Sequence, residues 1–131
     1  MWISALYASL LAPLFVVLAV RVIALRRGEG VAVGDGGRAL LARRMRVQAN
    51  FAEYVPYALL LMVLAESMEA PPAALHGLGV VLVVARLAHG WGMSQRREDF
   101  RFRVGGMIGT FAVLLGGAAL CLWTIWARRG L

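Results

Sequence analysis

Residues 46–65 read RVQANFAEYVPYALLLMVLA. The first half places Arg46, Asn50 and Glu53 at i, i+4 and i+7, on one face of a helix. The second half is an unbroken apolar run of the kind that sits in lipid. A charged stripe that opens a membrane helix is expensive and requires a partner. Arg46 adjoins a basic loop, but Glu53 does not, and a carboxylate at that depth costs about 3 kcal/mol on insertion scales. Arg46 and Glu53 are separated by about 10 Å along the helix axis, which predicts that they do not pair directly with each other. Asn50 lies between them, and Tyr54 and Tyr57 extend the stripe. Two partners answer the requirement: Arg86 of a neighbouring helix for Glu53, with Arg46 snorkelling to the interface, or a bound ligand.

Outward from this stretch, the rest of the chain reads the same way. Of 131 residues, 61% are hydrophobic, against about half in a soluble domain. Four apolar stretches, near 3–25, 45–66, 73–93 and 104–127, are long enough to cross a bilayer, which takes roughly 20 helical residues. Strict alternation over about 10 residues, the mark of a barrel strand, is absent from the sequence. Residues 1–131 are therefore read as one all-α domain, a transmembrane up-down four-helix bundle. The first span has no basic residue before Trp2 and reads as a retained helix rather than a cleaved leader. Pro71 and Pro72 stop one helix and start the next. The GDGG of the first connection is a turn signal. Gly105 and Gly109 stand at GxxxG spacing, which serves packing within the bundle or a contact between subunits.

The net charge is +7, and every one of the basic residues is arginine. No aromatic-interleaved basic region accompanies them, so a nucleic-acid partner is not expected. Arginines crowd the first and third connections and are missing from the second, which carries Glu69. By the positive-inside rule the first and third connections face the cytoplasm, and a bacterial inner membrane is the expected location. Cys121, the lone cysteine, reads as a packed, inert thiol.

Arg86, His89 and Met93 share one face of the third helix. Two histidines, His76 and His89, with no suitably spaced cysteine or carboxylate do not make a zinc site, and no metal is expected. At the cytoplasmic end Arg26, Arg27, Arg46, Arg101 and Arg103 converge, and Arg46 with Arg103 would form a partly desolvated cationic pocket. Such a pocket suits carboxylates, and Glu53 suits an ammonium group. A zwitterion about three extended residues long matches the Arg46–Glu53 spacing.

The run Arg46-x-Gln48-x-Asn50-x-x-Glu53-Tyr54-x-Pro56 resembles the signature of the MAPEG family, membrane-associated proteins in eicosanoid and glutathione metabolism. It looks most like the leukotriene C synthase and microsomal glutathione transferase form. Val22-Ile23-x-x-Arg26-Arg27 is a second match, and Arg86-Leu87-Ala88-His89 is similar to a motif of the prostaglandin E synthase members. The GEG…GDGG loop and the RVGGMIGT run look like small bacterial members.

The resemblance implies a homotrimer that binds glutathione between subunits, together with a lipophilic second substrate. It implies that Arg26, Arg46, Gln48, Asn50, Glu53 and Tyr54 hold glutathione, with Arg86 and His89 nearby. Gln48 points about 200° from Arg46 on the helix and would suit the same ligand only from a neighbouring subunit. The thiol-activating arginine of the family aligns with Arg103, or else with Arg101, and Arg27 matches a second assisting arginine. A free thiol near pKa 8.5 is mostly protonated at neutral pH, and an adjacent cation in a dry site favours the nucleophilic thiolate. Met93 stands where the family often has tyrosine, which fits a non-catalytic lipid-binding or scaffold member as the second reading. A proton-coupled drug exporter of four helices would carry its membrane carboxylate on the first helix, and there is none.

Overall fold

Apolar sequence between glycine- and proline-marked turns becomes four long helices. The computed structural model describes residues 1–94 and 99–129. They form α1 (Trp2–Glu29), α2 (Ala39–Ser67), α3 (Pro72–Gly92) and α4 (Phe100–Arg129). All four are long and apolar enough to cross a membrane. The helices overrun the apolar stretches because the flanking alanines and arginines are themselves strong helix formers. Arg43, Arg44 and Arg46 consequently lie on α2 rather than in a loop.

The punctuation acts as expected. Gly30 ends α1 in the left-handed region at φ 66°, and the Val31 N–H then reaches the Arg26 carbonyl at 3.0 Å, satisfying the helix end. Gly36 and Gly37 also take positive φ, with the Asp35 carboxylate accepting the Gly37 N–H at 2.9 Å. Pro72 opens α3 as its first residue. Arg96 and Arg97 of the third connection lie outside the described residues.

Around the bundle, α1 packs on α2, α2 on α4, α4 on α3 and α3 on α1, while α2 and α3 also touch across the middle. The closest approach is α3 on α4, and glycine makes it. A Cβ on Gly106 would fall 2.6 Å from the Ala85 carbonyl oxygen, and one on Gly109 would fall 2.9 Å from the Ala85 Cβ. Gly105 meets nothing, so the contact inside the bundle runs through Gly106 and Gly109. Cys121 is buried and its thiol donates to the Leu61 carbonyl at 3.4 Å, as a packed thiol does.

At the end opposite the arginines, α1 is tied down by a partner that the sequence did not announce. The Ile3 and Ser4 N–H groups both donate to the Glu66 carboxylate at 2.9 Å, an anion set at a helix N-terminus that has no acid of its own. Nearby, the Tyr7 hydroxyl meets His76 Nδ1 at 3.0 Å, so His76 is a hydrogen-bonded histidine. The Tyr7 ring packs against Gly79, where a Cβ would come within 2.2 Å of it. Gly79→Ala is expected to force the ring aside and lower stability by about 1–3 kcal/mol. Thermal melting of the detergent-solubilised protein by circular dichroism checks this, and an unchanged melting temperature would refute the packing account.

Candidate functional site

The stripe on α2 divides once it is folded. Asn50 is buried at 8% exposure, and it faces α3. Arg46 and Glu53 stand on the outward ridge of the helix, their side chains 65% and 49% exposed, and they pair with each other at 3.7 Å. The expected absence of a direct pair is thus corrected. The 10 Å of axial rise separates the backbones, but a long guanidinium and a carboxylate on the same face close that distance through their own length. Nor does Glu53 pair with Arg86, which lies on the interior side of α2.

Arg86 is 1% exposed, an ionisable group at the centre of the bundle. Its Nη2 donates to the Asn50 Oδ1 at 2.9 Å and stands 3.3 Å from His89 Nδ1. Its Nη1 reaches the Thr110 hydroxyl at 3.4 Å, and its guanidinium carbon lies 5.4 Å from the centre of the Phe51 ring. Neutral acceptors and an aromatic face therefore solvate this cation, while its Nε has no hydrogen-bond partner. Binding Asn50 through its carbonyl oxygen leaves the amide NH₂ of that side chain to donate elsewhere. His89 is likewise buried, at 2%. Tyr54 turns to the same side and meets Phe111 edge-on, with ring centres 5.5 Å apart.

On the other flank of α2 a groove of about 550 Å³ opens against the end of α1, and Arg26, Arg46 and Gln48 line it. Gln48 and Arg46 point some 200° apart, yet both line this one groove. Met45 and Ala49 line it as well. Arg26 bonds to the Ala32 carbonyl at 3.1 Å and to the Met45 sulfur at 3.4 Å. Arg27 is exposed beside it.

Arg103 is not among the residues that line this groove. Arg103 lies in the first turn of α4, half-buried, with its guanidinium carbon 6.0 Å from the centre of the Phe100 ring. Its backbone N–H donates to the Asp99 carbonyl at 3.2 Å, and the Asp99 N–H donates to the Gly92 carbonyl at 3.0 Å. The start of α4 is thereby pinned to the end of α3. Two turns separate Arg103 from Thr110, which keeps them on one face of α4. Arg101 is exposed and points away from that face.

Thr110 and Phe51 were not among the residues the sequence singled out. The signal for Thr110 was present, since a hydroxyl four residues after Gly106 on the glycine face must pack against α3, and it bonds back to the Gly106 carbonyl at 2.8 Å. Nothing in the sequence distinguished Phe51 from other core aromatics.

A four-span helical membrane bundle with a buried arginine and a polar, partly charged α2 is the class these features define. The chain matches the MAPEG family over residues 4–123 and belongs to it. It is similar to the inner membrane protein YecN of Escherichia coli (strain K12), at 39% identity over 121 residues that cover 92% of this chain and 91% of the relative. YecN of a second Escherichia coli strain matches to the same extent.

Proposed function

We propose that the chain is a glutathione-binding protein of the inner membrane, and that it acts as a glutathione transferase or peroxidase-like enzyme on hydrophobic electrophiles. The observation that carries this reading is the placement of the α2 residues. An ion pair stands exposed on an apolar ridge, with a groove holding Arg26 and Gln48 on one flank and Asn50, Tyr54 and Arg86 on the other. A charged ridge in lipid is costly. A second copy that covers the ridge removes the cost and brings the two flanks into one site between subunits, as in a trimer. Glutathione carries carboxylates for Arg26 and Arg46 and an ammonium for Glu53, and Asn50 has a free amide donor for a peptide carbonyl. The bound thiol then stands near the arginines of the α1 end and the α4 start, where a cation favours the thiolate.

The location follows the same reasoning: the relative is named as an inner membrane protein, and four spans suit that membrane. A non-catalytic lipid-binding or scaffold role is the second reading, and Met93 favours it, being packed into the core cluster at a position where a tyrosine would offer a hydroxyl. Calorimetric titration of glutathione into detergent-purified protein, paired with native mass measurement, tests the proposal. Saturable binding at an assembly mass three times 14.2 kDa is expected. Absence of binding at millimolar glutathione would overturn it, and binding without turnover of any general electrophile would favour the second reading.

A further inference from the structure

We propose that the groove between α1 and α3 at the arginine-rich end holds an anionic glycerophospholipid, its phosphate on Arg21 and Ser94 and its acyl chains along Leu14, Val17 and Leu87. This groove, of about 410 Å³, is lined by residues of α1 and α3, Trp91 among them, and by Ser94 just beyond α3, with none from α2. Its lower part is apolar. Its upper part is not, because Arg21 donates to the Ser94 hydroxyl at 2.6 Å and Ser94 donates on to the Gly90 carbonyl.

Among the described residues no acid pairs with Arg21. Arg44 of α2 reaches the backbone carbonyl of Arg21 at 3.2 Å, and the two arginines line one small cavity. Among the described residues the acids are engaged elsewhere: Glu29 with Arg38, Glu53 with Arg46, Glu66 with the N-terminus and Glu69 with Arg128. Asp35 and Asp99 close turns. The internal cavity that Arg21 and Arg44 share is about 10 Å³, room for no more than a water, so an anion must approach from the groove side.

Depth identifies the source of that anion. The 28 residues of α1 span about 42 Å, the full bilayer with its headgroup layers. Arg21 lies eight residues before the end of α1, roughly 12 Å below it, just inside the hydrocarbon edge. From there a guanidinium rises to the phosphate level and binds phosphate through paired N–H groups. Trp91, 64% exposed, occupies the headgroup belt where tryptophan collects. An apolar channel directly beneath a cation is the shape of a phospholipid rather than of a free phosphate.

Native mass spectrometry of protein exposed to equimolar phosphatidylglycerol and phosphatidylcholine tests this. The wild type is expected to retain phosphatidylglycerol about fivefold over phosphatidylcholine, the weight of one arginine near an anionic headgroup. Arg21→Gln should erase that preference. Val17→Trp, which fills the chain channel and leaves the arginine, should reduce retention of both lipids. Arg128→Gln at the opposite end should leave the preference intact. Glutathione affinity should be unchanged in Val17→Trp, which separates this site from the α2 site, and circular dichroism confirms that each variant is folded. Equal retention of the two lipids by the wild type would overturn the proposal. So would an unaltered preference in Arg21→Gln, unaltered retention of both lipids in Val17→Trp, or full displacement of the lipid by water-soluble glycerophosphate.

Discussion

In calorimetric titrations Glu53→Gln and Arg46→Ala are each expected to weaken glutathione binding about tenfold, and the double variant to lose more than the two single losses combined. The non-additivity follows from the pair at 3.7 Å. In the free protein each residue is the counter-ion of the other. A ligand that places a carboxylate on Arg46 and an ammonium on Glu53 must first part them. Either single substitution removes one ligand contact but also removes that cost, so each single loss understates its contact. The double variant lacks both contacts and recovers the cost once. The excess equals the strength of the broken pair, about 0.5–1 kcal/mol for an exposed pair and more in lipid. Strictly additive losses would mean that the ligand leaves the pair intact, and unchanged affinity in both single variants would remove these residues from the site.

The same pair marks where the sequence was legible and where it was not. Helix count, helix ends and the bundle were readable because they rest on local chemistry: apolar length, Pro72 at a helix start, Gly30 at a helix end. Helical periodicity also placed Arg86 and His89 on one face, and both are buried together. Periodicity assigned Arg46, Asn50 and Glu53 to one face as well, and that face proved to be an edge. Asn50 is about 60° round the helix from Glu53, and the boundary between bundle and surroundings runs between them. Only tertiary packing draws that line. Rise per residue, likewise, governs backbones and says little about the tips of long side chains, which is why the Arg46–Glu53 pair was not foreseen. The Glu66 anchor on α1 was invisible for a related reason, since its two backbone partners lie more than 60 residues away in sequence.

Replacement of Arg103 is expected to affect turnover far more than binding. Should the protein bind glutathione as proposed, Arg103→Ala should raise the apparent pKa of the bound thiol by about one unit or more, read as thiolate absorbance against pH. The sign follows from charge: a nearby guanidinium stabilises the thiolate and lowers the thiol pKa, so its removal raises the pKa and depletes the nucleophile at neutral pH. Turnover of a general electrophile at neutral pH should fall about ten- to a hundredfold, with glutathione affinity changed much less. The position supports Arg103 over Arg101. Gly92 and Asp99 pin the start of α4 against α3, and Arg103 continues the face that carries Thr110 and, through it, Arg86. Arg101, exposed and on the opposite side, should tolerate replacement by alanine with little change in either quantity. If Arg101→Ala instead raises the thiol pKa while Arg103→Ala does not, the start of α4 must turn its other face to the thiol, and the assignment passes to Arg101.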